Sequence, residues 1–175
     1  RKTSQLPVVL MTSFNPVFVY GQKEFVADAL KAGVDGVIIP DLPHEEADEF
    51  LEIAEGLDMI FLLSPTSTPD RVKQIGKISK GFIYYISLTG TTGTQEFLSS
   101  GLEAKVEAIK KSVSLPVLVG FGISGPEQAR EAAKVSDGVI IGSAIVKLVE
   151  KNNDPVERDR KLGEFIASIQ KAINP

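Results

Sequence analysis

The sequence predicts an α/β fold built from parallel βα units, and three observations carry that expectation. Six short runs rich in Val, Ile, Leu and Phe, at residues 6–11, 34–39, 59–63, 82–86, 116–119 and 138–141, are apolar almost throughout instead of alternating. Continuous apolarity marks a strand covered on both faces, which is the habit of parallel sheets. Between the runs lie stretches with apolar positions three or four apart, the spacing of a helix with one buried stripe. The turn into a strand also recurs: Gly33-Val-Asp-Gly36 and Ser136-Asp-Gly138 are each followed by Val-Ile-Ile. Strand–helix alternation of this kind is a succession of βα units. A doubly wound nucleotide fold should show G-x-G-x-x-G after a strand, and none is present. The expectation is therefore a TIM (β/α)8 barrel left incomplete, with about six βα units. A complete barrel takes about 250 residues and eight units, against 175 residues here.

The elements follow in order. Phe25, Ala29 and Leu30 mark the first helix, Phe50, Leu51 and Ala54 the second, and Val72, Ile75 and Ile78 the third. Leu102, Val106 and Ile109 mark the fourth, and Ala129, Ala132 and Ala133 the fifth. The last runs from about Pro155 to Ile173, with Leu162, Phe165, Ile166 and Ile169 on one face. Residues 144–151 stand between the sixth strand and that last helix and form a short extra helix of their own. No Pro/Gly/Ser-rich linker divides the chain, so residues 1–175 read as one domain.

Composition excludes several classes of function. The chain is 43% hydrophobic and 24% charged, with a net charge of 19 − 23 = −4. Cysteine is absent, which removes a disulfide scaffold, a thiolate nucleophile and Cys-based metal sites. No metal and no cofactor are expected. No Lys/Arg block suggests nucleic acid, and no apolar run reaches the roughly 18 residues of a membrane span. The expected location is cytoplasmic. The chain opens at Arg1 without Met and enters a strand by Leu6, so the expectation is a processed chain or part of something longer.

In α/β barrels the chemistry sits at the C-terminal ends of the strands. The loop after the fourth run is Ser87-Leu-Thr-Gly-Thr-Thr-Gly-Thr94, after the fifth Gly120-Phe-Gly-Ile-Ser124, and after the sixth Gly142-Ser-Ala-Ile-Val146. Glycine admits a ligand close to the backbone, and a helix beginning there points N–H groups at it. Gly122, Gly142 and Ser143, helped by Gly93, are the expected phosphate-binding set. Tyr84 and Tyr85 adjoin on the fourth strand, so one faces the interior and the other a helix. Asp41 lies just past a strand, where capping a helix and lining a pocket are both open to it. His44, in Asp41-Leu-Pro-His-Glu-Glu46, reads as a solvated residue in the first turn of a helix. Apart from Asp41, no strand run ends in an ionisable residue, so no catalytic acid–base pair is expected in this chain.

These segments resemble the tryptophan synthase alpha chain family. The resemblance rests on Leu6-Pro-Val-Val-Leu-Met-Thr-Ser-Phe-Asn-Pro16 with Tyr20-Gly21, on Gly33-Val-Asp-Gly-Val-Ile-Ile-Pro-Asp-Leu-Pro43, and on Leu63-Ser-Pro-Thr-Ser-Thr-Pro69. It continues in Gly81-Phe-Ile-Tyr-Tyr-Ile-Ser87, in Gly120-Phe-Gly-Ile-Ser124 and in Gly142-Ser-Ala-Ile-Val-Lys147, all in the family's order. It implies a (β/α)8 barrel and the retro-aldol cleavage of indole-3-glycerol phosphate to indole and glyceraldehyde 3-phosphate, a lyase reaction of tryptophan biosynthesis. It implies that Gly93, Gly122, Gly142 and Ser143 hold the substrate phosphate and that Tyr84 faces the pocket. Ile38, Phe121 and Ile140 or Ile141 would line the indole site, and Thr92 would belong to a closing loop. It implies a partner, the tryptophan synthase beta chain, in an alpha/beta heterotetramer, met through Asp41, Asn15 and Pro16. The family's catalytic carboxylates belong to a strand and loop that precede residue 1, so the 175 residues alone are expected to be inactive. Leu88 departs from an often polar position of the closing loop. A ribulose-phosphate epimerase or thiamin-phosphate synthase type of barrel is the alternative enzyme, and a non-catalytic phosphate-binding fragment the alternative without chemistry.

Overall fold

The structure, a computed structural model, describes residues 2–87, 100–120 and 122–174. The strands are β1 Val9–Met11, β2 Gly36–Ile38, β3 Asp58–Ile60, β4 Leu62–Leu63, β5 Ile83–Ile86, β6 Val117–Gly120 and β7 Gly138–Ile140. The helices are α1 Phe14–Tyr20, α2 Gln22–Ala32, α3 Asp48–Ile53, α4 Pro69–Ile78, α5 Ser100–Ser112, α6 Pro126–Ala133, α7 Ser143–Glu150 and α8 Pro155–Ile173. A 3-10 turn, His44–Glu46, precedes α3.

Every strand pair is parallel, in the orders β1-β2-β3 and β4-β5-β6-β7. The third apolar run thus divides into two strands. Its first half pairs with β2 and its second with β5, so residues 58–63 connect the two ladders through Phe61. Side-chain alternation carries through the junction, because Met59, Phe61 and Leu63 all lie in the core.

Val37 and Ile39, Ile83 and Tyr85, and Val117 and Val119 point the same way, into a core shared with Val26, Phe50, Ile75, Val106 and Ala129 of the helices. Residues between them, Ile38, Tyr84, Ile86, Leu118 and Gly120, therefore belong to the opposite, inner face. The expected helical stripes are buried or half-buried except at Leu30 and Ile166, which are 38% and 54% exposed, and α8 has its predicted bounds.

Three features differ from the expectation. The strands are shorter than the apolar runs, since turns consume the flanking residues. The outermost strands are not covered on both faces: β1 is exposed along its length and β7 half-buried, because each has a single ladder neighbour among the described residues. Finally, α1 is a helix that periodicity did not announce.

The repeated turn has a physical basis. Val8 N–H donates to Asp35 Oδ2 at 2.6 Å while Asp35 N–H donates to Val8 O. Val117 N–H donates to Asp137 Oδ2 at 2.8 Å while Asp137 N–H donates to Val117 O. In both copies the aspartate before a strand grips the beginning of the neighbouring strand with backbone and side chain together, which fixes the register.

Candidate functional site at the C-terminal ends of the strands

On the inner face, Tyr84 of β5 meets β6 at Gly120. A Cβ added to Gly120 would lie 2.5 Å from Tyr84 Cε2 and 2.7 Å from its hydroxyl, so the phenol lies across the bare backbone and only glycine admits it. Burial pushes the Tyr84 phenol pKa up, as it does for Tyr85. Tyr85 itself is 2% exposed and packs toward the helices. The alternation expected for the pair is what the structure has, with Tyr84 on the inner face. One residue past β5, Ser87 is buried, and both its N–H and its Oγ donate to Gly120 O, at 3.1 and 3.3 Å.

Beyond β6, Gly122 has φ 76°, the left-handed region where a side chain is strained. Beyond β7, Gly142 opens α7 as its N-cap and makes no side-chain capping bond. The first bonds inside this helix run from Ile145 and Val146 N–H to Gly142 O. The N–H groups of Ser143 and Ala144 come before them, at the positive end of the helix dipole. No acidic side chain stands in the first turn, and among the described residues a Cβ on Gly142 would meet nothing within 4 Å. This end of the sheet can therefore offer an anion backbone donors beside open space.

Among other expected site residues, Ile38 is buried on the inner face. Ile141 packs against the helix-side core, which leaves Ile140, its neighbour on β7, for the inner face. Thr92, Gly93 and Phe121, with Leu88 and Gly90, lie outside the described residues.

Asp41 caps a helix distant in sequence: Phe14 N–H donates to Asp41 Oδ1 at 2.8 Å at the start of α1, whose own N-cap, Ser13, makes no such bond. His44 corrects the sequence reading. Its side chain is 8% exposed, not solvated, because Nε2 lies 2.8 Å from Gln74 Oε1 on α4. Glu45 beside it accepts from Arg71 Nη1 at 2.8 Å. Sequence reasoning missed Gln74 and Arg71, and took Gly120 only as part of a glycine-rich loop. No local signal marks the first two, whereas an interior glycine in a strand is a sign of close approach. Among the described residues, no three His, Asp or Glu side chains converge to hold a metal ion.

The sequence profile of the tryptophan synthase alpha chain family matches residues 1–174. Among curated relatives, the tryptophan synthase alpha chains of Geotalea uraniireducens and Geobacter sulfurreducens are 48% and 45% identical over 99% of this chain. The chain spans 65% and 66% of their lengths. Among solved structures, one from the tryptophan synthase α2β2 complex of Pyrococcus furiosus superimposes with a TM-score of 0.87 at 35% identity, over 98% of this chain and 69% of that one. The alpha chain of Legionella pneumophila gives a TM-score of 0.86 at 37% identity, over 99% of this chain and 65% of that one.

Proposed function

Since the chain belongs to the tryptophan synthase alpha chain family, we propose that it serves the retro-aldol cleavage of indole-3-glycerol phosphate to indole and glyceraldehyde 3-phosphate. The observation that carries this reading is the glycine-framed start of α7, uncapped and free of acid, at the same end of the strands as Tyr84 against Gly120. A phosphate held by Gly122, Gly142 and Ser143, with Gly93 from the preceding loop, would receive backbone N–H groups and the α7 dipole. The indole half would then lie against Tyr84, Ile38, Phe121 and Ile140. Thr92 would belong to a loop whose closure excludes water.

The reaction also needs a group that takes a proton and one that gives it. The strand ends described here supply apolar and hydroxyl side chains, and Asp41 is engaged by Phe14 N–H. On this reading the proton-transferring carboxylates come from two further βα units, and β1 to β7 form a six-unit arc of a (β/α)8 barrel that those units close. Two apolar outer strands, each with one neighbour among the described residues, support the arc. The same reading makes the protein a cytoplasmic lyase subunit without a cofactor of its own, whose partner, the tryptophan synthase beta chain, receives the indole. Asn15 and Pro16 on α1, next to Asp41, would lie on that contact.

The test is phosphate-dependent binding. Gly142→Asp sets a carboxylate where the phosphate would lie, and should weaken indole-3-glycerol phosphate binding by about a hundredfold or more in a calorimetric titration of the full-length chain. Unchanged affinity would remove the phosphate site from this helix.

A further inference from the structure

We propose that the cleft beside the start of α4 is a binding site for a small zwitterion, a free α-amino acid with an apolar side chain. The cleft has a volume of about 530 Å³ and lies among the ends of β2, β4 and β5, the 3-10 turn and α4. None of its lining residues belongs to the phosphate-binding set Gly122, Gly142 and Ser143. Pockets for small molecules commonly combine an apolar floor with a few convergent polar groups, and this one does both. Leu62, Leu63 and Ile86 form the apolar part.

The rim carries both signs of charge: Arg71 on one hand, Glu45 and Asp70 on the other. That balance selects the ligand. A phosphate would have to sit beside two carboxylates, and a simple amine beside a guanidinium, each repelled by charge of its own sign. A zwitterion satisfies both, with its carboxylate on Arg71 and its ammonium on the acids. Among the described residues Arg71 spends Nη1 on Glu45 Oε1, and a guanidinium presents five donors in a planar fork suited to a second carboxylate. Ser64 and Thr66, with hydroxyls 2.9 Å apart, add donors and acceptors at the mouth.

His44 supplies an independent sign of a ligand. Its side chain is more than nine-tenths buried and lines the cleft. Its Nδ1 is 2.8 Å from Glu45 Oε2, and among the described residues this buried nitrogen makes no hydrogen bond. Buried polar atoms without a hydrogen bond are uncommon in native proteins. A ligand ammonium that draws Glu45 toward itself, or a carboxylate that meets the ring, would resolve the contact.

Calorimetry on the full-length chain tests this with L-leucine and L-phenylalanine, each set against its N-acetyl and its amide derivative, and against inorganic phosphate. At least one of the two amino acids should saturate with a dissociation constant of about 1 mM or lower. Losing either charge of the ligand should weaken binding about tenfold or more. Arg71→Ala and Asp70→Asn should each do the same while leaving the far-ultraviolet circular dichroism spectrum as it was, which shows that the variants are folded. No saturation below about 10 mM, equal binding of the blocked derivatives, or binding that survives both substitutions overturns the proposal. The readout involves no indole release, so its failure leaves the proposed cleavage reaction untouched, and failure of that reaction leaves this site untouched.

Discussion

At the scale of single residues, the tightest constraint in the candidate site is steric. Gly120 has no room for a methyl group while Tyr84 holds its place, because the added carbon would stand 2.5 Å from the ring. Gly120→Ala must therefore displace the phenol or separate β5 from β6. Overpacking of this kind costs about 1–3 kcal/mol. Thermal melts should show that loss, and titration should show weakened indole-3-glycerol phosphate binding, since the wall of the pocket has moved. Wild-type affinity in the alanine variant would mean that Tyr84 does not shape the site. The pair was half legible in the sequence. Alternation along β5 separates the two tyrosines, but it cannot say which strand Tyr84 leans on, and Gly120 stood out only as part of a glycine-rich loop. His44 was illegible for a similar reason: its partner Gln74 is 30 positions away, on a helix that the tight loop after β2 happens to approach.

At the scale of elements, the chain relies on polar groups that reach from one element to another. Asp137 accepts from Lys110 Nζ at 2.6 Å and from Val117 N–H at 2.8 Å, tying α5, the start of β6 and the turn into β7. These contacts, the Lys110 hydrogen bond first, hold its carboxyl pKa below the ordinary value. A carboxyl lowered on folding stabilises the protein at pH values above its unfolded pKa of about 3.9, and loses that contribution as pH falls through the folded value. Asp137→Asn should therefore melt below wild type at pH 7, with the gap closing in melts taken below about pH 3.9. A gap independent of pH would assign the effect to shape. The N-cap of α8 gives a simpler expectation. Asp154 Oδ1 accepts from Glu157 N–H at 2.8 Å, and Asp154→Ala should cost about 1 kcal/mol, a fall of about 2–4 °C in the melting temperature. Caps of this local kind, like the helix stripes, can be read from sequence because donor and acceptor are three residues apart. The α1 helix could not be read that way. Phe14-Asn-Pro-Val-Phe-Val-Tyr20 is rich in strand formers, and its capping carboxylate comes from Asp41, 27 positions on.

At the scale of the whole molecule, the question is what the outer strands do. Among the described residues the sheets are parallel throughout and β1 and β7 each have one ladder neighbour, so the other edge of each could accept a parallel strand. Apolar residues crowd the β1 side: Leu6 is 75% and Met11 59% exposed, and Val8, Val9 and Leu10 are exposed between them. On the β7 side, Val146 and Val149 of α7 are exposed, with Ile166 of α8. Exposed, apolar, unpaired edges template association with other chains, and natural proteins blunt such edges with lysine. The 175-residue polypeptide expressed by itself should therefore run as dimers or larger species in size-exclusion chromatography with light scattering, in proportion to concentration. Leu6→Lys together with Met11→Lys should shift it toward monomer, because two charges on the edge make pairing costly while the core contacts of β2 and β3 stay as they are. Adding the βα units proposed to close the barrel should have the same effect and sharpen the melt, since each outer strand would gain a second ladder. A monomeric wild-type polypeptide with a sharp melt would show instead that the 175 residues bury enough of their own surface to stand alone, and the proposed closing units would then be needed for the proton-transferring carboxylates and not for folding.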